Sequence, residues 1–149
     1  MKGMVDMLKA VLIEAPKTDD EPMMLKPLEY DTGGDNLSFF YKHIGCDCID
    51  IVDAYGLQSI EPLKDICLVV DDEGLFSGAR VNKLASLLYG FLEHGQPIVG
   101  NVLVCKNVYT ENGIETGSLT DEEVFLLDAA LANLVELCNE EVARRRNEA

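Results

Sequence analysis

Residues 46–74 read CDCIDIVDAYGLQSIEPLKDICLVVDDEG and contain the two apolar runs that decide the fold class. The first run covers residues 48–52 and the second covers residues 66–70, and both are rich in β-branched side chains. Short runs of this composition, ended by turn residues, are typical of β-strands. The acidic turn at residues 71–74 follows the second run at once, and we predict a hairpin there in which Gly74 adopts a positive φ.

Three further strands are predicted outside this stretch, at residues 10–13, 23–30 and 98–105. Pro27 interrupts the second of them and indicates a sheet edge, because proline has no backbone N–H to donate. The run at residues 98–105 is apolar on both faces, as a central strand is. Residues 55–62 predict a turn and a short strand, and the dipeptide Asn112-Gly113 predicts a second hairpin.

Three helices are predicted from apolar residues that recur at spacings of three and four. The first covers residues 37–44, with Asp35 or Asn36 as its N-cap and Gly45 as its stop. The second covers residues 81–92, and the third opens with a Thr120–Glu123 capping box. The expected buried faces are Leu37, Phe40, Tyr41 and Ile44 in the first helix, Val81, Leu84, Ala85 and Leu88 in the second, and Val124, Leu127, Leu131, Leu134 and Cys138 in the third.

Together these elements predict one α+β domain, in which a mixed, mostly antiparallel sheet of about five strands packs with three helices. A chain of 149 residues that is 48% apolar is large enough to hold one core without crosslinks. Within it we expect a flexible N-terminal extension at residues 1–8, a core at about 9–123 and a long C-terminal helix at about 120–146. No apolar run approaches the ~20 residues of a membrane span, and the N-terminus lacks the pattern of a secretory signal.

The chain carries 27 acidic and 12 basic residues, for a net charge of −15. Such a charge opposes nonspecific binding to nucleic acids and to anionic membrane surfaces. It is compatible with a basic protein partner and with mimicry of DNA. Because the acidic residues are scattered in runs of three at most, plain solubility explains them as well.

The five cysteines are Cys46, Cys48, Cys67, Cys105 and Cys138. Their number is odd, and four of them lie within apolar runs, where a thiol behaves as a small hydrophobic group. This usage is typical of a reducing compartment. We therefore expect a cytoplasmic protein with core thiols and no disulfide.

His43, Cys46 and Cys48 form the pattern H-x-x-C-x-C, which offers one imidazole and two thiolates within six residues. Zinc uses such ligands, but a structural site also needs a second ligand pair, and the only other histidine is His94. The sequence therefore predicts no metal, with this cluster as the alternative.

No motif of an established catalytic type is present. The tripeptide Asp31-Thr32-Gly33 also occurs in aspartic proteases, but here it lies where the first helix needs a turn and a cap. Asp47, Asp50 and Asp53 do not converge on a strand, because Asp50 faces away from the other two. We therefore expect that the protein is not an enzyme.

Five segments, in this order, carry a resemblance to a known family: IGCDCIDIV at 44–52, DICLVVDDEGL at 65–75, Asn82 with ASLLYG at 85–90, IVGNVLVC at 98–105, and SLTDEE at 118–123. In this order they resemble the family catalogued as domain of unknown function 3846. Members of that family are typically small cytosolic proteins of phages, plasmids and conjugative elements. The resemblance implies an accessory protein of a mobile genetic element.

These observations lead to three hypotheses. The first is a non-enzymatic interaction protein of a mobile element, possibly anti-defence, that inhibits or sequesters a host or defence protein and needs no cofactor. The second is a protein that binds a small molecule or nucleotide signal, with Asp72, Asn82 and Asn101 as the polar groups, although Asp72 also suits a turn and Asn82 a helix cap. The third is an acidic DNA mimic, which would not bind nucleic acid itself.

The last helix carries more apolar surface than one buried stripe requires. Phe125, Leu126 and Ala129 spread beyond the stripe that faces the core. A soluble monomer seldom exposes such a patch, so we predict a homodimer, with complete coverage by neighbouring strands as the alternative.

Overall fold

The computed structural model of the protein describes residues 7–18, 21–74 and 78–148. Its strands are β1 (Met7–Ile13), β2 (Leu25–Asp31), β3 (Ile49–Asp53), β4 (Ile66–Asp71), β5 (Val102–Thr110) and β6 (Gly113–Gly117). Its helices are α1 (Asn36–Ile44), α2 (Lys83–Tyr89), the one-turn α3 (Phe91–His94) and α4 (Asp121–Glu148). Residues 1–6 of the predicted extension lie outside the described chain, whereas Met7 and Leu8 belong to β1.

The strands form one six-stranded sheet in the order β2-β1-β5-β4-β3, with β6 paired to the second half of β5. Every strand pair is antiparallel. The α+β class, the edge position of the proline-containing strand and the central position of β5 are confirmed. The sheet has six strands rather than about five, and it is fully antiparallel rather than mixed, because each crossing between neighbours reverses direction.

The sheet is covered on both faces, because its central strands alternate two sets of apolar side chains. One core lies between the sheet and helices α2 and α4, and it includes Val11, Ile13, Leu68, Val102, Val104, Leu84, Leu127 and Leu131. The other lies between the sheet and α1, and it includes Leu8, Ala10, Cys67, Val69, Leu103, Cys105, Phe39 and Phe40. The molecule is therefore built in three layers, with α1 alone on one side.

Local signals set the predicted helix ends. The carboxylate of Asp35 accepts a hydrogen bond from the Ser38 amide at 3.1 Å and caps α1, which stops at Gly45 with φ of 80°. The Thr120–Glu123 capping box opens α4, with reciprocal hydrogen bonds of 2.8 and 3.1 Å. Burial alone would raise the pKa of Glu123, but the hydrogen bonds from Lys106 and Thr120 hold it below its usual value.

Two predictions on either side of β4 were wrong. Residues 55–62 contain two 3-10 helices, Tyr55–Leu57 and Glu61–Leu63, instead of a strand. No described residue after Gly74 pairs with β4, whose neighbours are β3 and β5, and Gly74 does not have a positive φ. A Cβ at Gly74 would lie 3.0 Å from the carbonyl oxygen of Val99, so a close backbone approach, and not a turn, requires glycine here.

The second predicted helix is shorter than residues 81–92. Gly90 adopts a φ of 77° and separates α2 from α3. Leu84, Ala85 and Leu88 are buried as expected, but Val81 precedes the helix, pairs with Val99 in an isolated bridge and is 44% exposed. The predicted strand at residues 98–105 likewise begins later, at Val102.

Helix α4 covers Asp121–Glu148 and buries the expected stripe, with Leu127, Leu131 and Cys138 inside. On other sides of the helix, Phe125 is 72% exposed and Leu137 is 59% exposed. The helix is therefore only partly covered by its own chain.

Candidate functional site

Asn82 is a buried brace. Its Nδ2 donates to the carbonyl oxygens of Ile13 at 2.9 Å and Gly100 at 3.0 Å, and its Oδ1 accepts from the Ala85 amide at 3.1 Å. Ser86 extends the brace, since its hydroxyl donates to the Asn82 carbonyl at 2.7 Å and accepts from the Ile98 amide at 2.8 Å. Every polar group of the Asn82 side chain is engaged, so it holds α2 against the ends of β1 and β5.

Asn101 is a second brace, at the end of the sheet where β1 finishes and β5 begins. Its Oδ1 accepts from the Ala15 amide at 2.9 Å, and its Nδ2 donates to the His43 carbonyl at 3.4 Å. Asn101 also lines a cleft of about 550 Å³, here called the end cleft. The end cleft is lined by Glu14, Ala15, Pro16, Lys17, Ile44, Gly45, Asp71, Gly78, Ala79, Arg80, Gly100 and Asn101.

The end cleft combines a large volume with two cationic side chains. The Nε of Arg80 donates to the Lys17 carbonyl at 3.0 Å, which places these two residues on the same rim. Glu14 is engaged by Lys26, and Asp71 stands at the far side. Known small-molecule sites have volumes of roughly 300–1,000 Å³, so the end cleft is of suitable size for one.

Asp72 lies apart from both asparagines. It lines a smaller space of about 190 Å³, here called the acidic cavity, together with Asp50, Asp71 and Tyr89. The Asp50 carboxylate accepts from the Ile51 amide and the Asp71 carboxylate accepts from the Glu73 amide, both at 2.9 Å. The three predicted binding residues Asp72, Asn82 and Asn101 therefore do not form one site.

The H-x-x-C-x-C cluster does not assemble into a metal centre. The Nε2 of His43 is buried without a hydrogen-bond partner, and the ring lies 4.4 Å from the Phe39 ring, centroid to centroid. Burial lowers the pKa of His43 and raises that of Cys46. Among the described residues, no group of three or more His, Cys, Asp or Glu side chains is arranged to hold a metal ion.

The core-thiol interpretation is confirmed at three cysteines and wrong at one. Cys67, Cys105 and Cys138 are buried, but Cys48 is exposed at the start of β3. Burial raises the pKa of Cys67 to about 12, and burial together with the neighbouring Cys67 raises that of Cys105 as well. Thiols in this state are poor nucleophiles.

Sequence reasoning missed an apolar groove of about 420 Å³ between α2 and α4, here called the helix groove. Val81, Leu87 and Leu137 line it with exposed fractions of 44%, 40% and 59%. The other lining residues are Lys83, Ser86, Pro97, Cys138 and Glu141, and the Lys83–Glu141 ion pair at 2.8 Å joins its two helices. A signal was present in Leu87 and Leu137, which are large apolar residues off the buried stripes of their helices.

The fold and these surfaces define an acidic α+β protein with open clefts and an apolar groove. The chain belongs to the family described as Domain of unknown function (DUF3846), whose model matches residues 16–132. The resemblance read from the sequence is thereby confirmed, over a range shifted towards the C-terminus from the expected 9–123. The description of the family assigns no activity.

A search of curated proteins finds no match. Among solved structures, the chain is similar to one described as the crystal structure of small RNA methyltransferase HEN1, with a TM-score of 0.52 and 17% identity. The match covers 80% of this chain and 15% of that chain. At this identity the similarity shows a shared fold alone. No helix in the described part of the chain is long and apolar enough to cross a bilayer.

Proposed function

We propose that the protein is a non-enzymatic interaction protein of a mobile genetic element, which acts in the cytoplasm by binding a host or defence protein. The helix groove is the observation that carries this proposal. Its three large apolar side chains are open together at one place, and an exposed apolar surface of this kind marks an interaction site in soluble proteins.

Burial of the groove would supply useful binding energy. Full burial of a valine or leucine side chain contributes roughly 1.5–3 kcal/mol, and about half of each of Val81, Leu87 and Leu137 is still exposed. The three together would therefore contribute on the order of 3 kcal/mol before association costs. An apolar partner segment seated between α2 and α4 would gain this energy.

Charge indicates what surrounds that apolar segment in the partner. Glu136 and Glu140 are exposed on α4 beside Leu137, four residues apart on one side of the helix. Like charges at this spacing destabilise a helix slightly, and neither residue forms an ion pair with any described residue. A partner segment that carries Lys or Arg beside its apolar residues would relieve this repulsion.

The proposal is tested by affinity capture from bacteria challenged with phage, followed by binding measurements with the purified captured protein. Leu87→Asp and Leu137→Asp place a charge in the groove and should weaken direct binding at least tenfold. Ile114→Asp is the matched control, because Ile114 is an equally exposed apolar residue on β6, away from the groove. Equal binding by the groove variants and the control would refute the proposal.

A second candidate function is small-molecule binding, favoured by the size of the end cleft and by Lys17 and Arg80 on its rim. These cations suit a ligand with a phosphate or carboxylate group. A panel of nucleotides should raise the melting temperature through linkage, and Arg80→Gln should reduce that rise while Arg144→Gln leaves it unchanged. A flat response across the panel would exclude this candidate for nucleotides.

A further inference from the structure

The helix groove and the acidic cavity adjoin each other. Pro97 lines both, and the segment from Gln96 to Val99 forms the cavity wall on its other side. Helix α2 contributes Leu87 to the groove and Tyr89 to the cavity. An extended segment that follows this surface would therefore meet an apolar site and an acidic site in succession.

The acidic cavity has the charge and size for one cationic side chain. None of Asp50, Asp71 and Asp72 forms an ion pair with a Lys or Arg in the described chain. At about 190 Å³ the space is smaller than the roughly 300 Å³ at which small-molecule sites begin, but it admits the end of an arginine. No metal-binding group is formed by the described residues, so a side-chain cation suits the cavity better than an ion.

Arginine suits the lining better than lysine does. A planar guanidinium presents several N–H donors in a fixed fork that can bind more than one carboxylate oxygen, and it also stacks on aromatic rings. The cavity offers carboxylates from Asp50 and Asp72 together with the ring of Tyr89. Asp71 is shared with the end cleft, where Lys17 and Arg80 lie, so Asp50 and Asp72 are the main sources of negative charge.

We infer that one partner segment is recognised at two adjoining points, with an apolar side chain in the helix groove and an arginine in the acidic cavity. This inference rests on the proposed function and specifies the partner: a protein segment in which an arginine lies close to a large apolar residue. The two points together supply orientation as well as affinity, because the apolar groove alone does not fix the direction of a bound chain.

The test selects ligands without knowledge of the natural partner. A library of random 12-residue peptides displayed on phage particles is selected against the purified full-length protein, and the enriched peptides are synthesised for titration. The enriched sequences should combine arginine with a large apolar residue. Replacing that arginine by glutamine should weaken binding roughly tenfold, as should the double variant Asp50→Asn/Asp72→Asn.

The variants are chosen so that shape and folding are preserved. Asparagine retains the size of aspartate and the oxygen that accepts from the Ile51 amide, so only the charge of Asp50 and Asp72 is lost. Combining the peptide change with the protein change should cost little more than either alone, as a double-mutant cycle requires for a direct contact. Glu61→Gln and Glu111→Gln are controls with the same loss of charge elsewhere on the surface.

The possible outcomes separate this inference from the proposed function. Peptides that need Leu87 but bind the Asp50→Asn/Asp72→Asn variant unchanged would overturn the two-point recognition and leave the groove as an interaction site. Peptides indifferent to Leu87→Asp would overturn both. A dimer in sedimentation that Leu137→Asp dissociates would show that a second copy occupies the groove, and it would overturn the inference too.

Discussion

Replacement of Asn82 by alanine should be among the most damaging single changes in this chain. The side chain is buried, donates to the carbonyls of Ile13 and Gly100, and accepts from the Ala85 amide at the start of α2. Alanine would leave these two carbonyls and one amide without their partners inside the protein. The same change would remove the N-cap of α2.

The magnitude follows from these lost interactions. Loss of an asparagine N-cap costs about 0.5–2 kcal/mol, and each buried polar group left unsatisfied costs about 1–3 kcal/mol. Because the groups share one site, their costs do not add fully, and we expect Asn82→Ala to lower the free energy of unfolding by about 3–5 kcal/mol. In a chain of this size each kcal/mol lowers the Tm by roughly 2–4 °C.

Urea unfolding followed by circular dichroism measures this loss. The matched control is Asp35→Ala, which removes the exposed N-cap of α1 and should cost only about 0.5–2 kcal/mol. Asn82→Asp is the discriminating variant, since it keeps the cap acceptor but loses both donors and should remain strongly destabilised. If Asn82→Ala costs no more than Asp35→Ala, the bracing role of Asn82 is refuted.

Three further measurements test other parts of the structure. Burial lowers the pKa of His43, so near pH 6.5 the unfolded chain binds a proton more readily than the folded one. The free energy of unfolding should therefore decrease as the pH falls from about 7.5 to about 5.5, with a smaller decrease in His43→Gln; equal slopes in urea titrations would contradict this. Cys48 is exposed, whereas burial raises the pKa of both Cys67 and Cys105, so a chromogenic thiol reagent should modify Cys48 first and these two core thiols only in denaturant. Rapid reaction of either core thiol in the native protein would contradict their burial. The exposed ring of Phe125 predicts a dimer in sedimentation at micromolar concentration, which Phe125→Ser should convert to the mass of one chain. A wild-type mass of 16.4 kDa that does not change on dilution would exclude the dimer.

The sequence by itself determined the parts of the fold that depend on neighbouring residues. The caps at Asp35 and Thr120, the stop at Gly45 and the hairpin at Asn112-Gly113 all act over four residues or fewer, so their signals are contiguous in the chain. The buried stripe of α4 was equally readable, because helical spacing repeats along one segment. The α+β class followed from these elements.

Sequence reasoning failed where a residue's role is set by distant chain. Gly74 appeared to be a turn glycine, but the approach of the Val99 backbone decides its environment. Val81 fitted the periodicity of a buried helix face, yet the helix begins after it. In both cases the local pattern was real, and tertiary contacts overrode it.

Only the tertiary structure decided where the candidate sites lie. Asn82 binds the carbonyl of Ile13, 69 residues earlier in the chain, so its bracing role is not visible in local sequence. The helix groove joins Leu87 to Leu137, and the acidic cavity joins Asp50 to the segment around Pro97. The physical reason is that a site is a meeting of surfaces, and which surfaces meet depends on strand order and helix packing. Local propensity and periodicity determine the elements, whereas burial of their apolar faces against one another determines the sites.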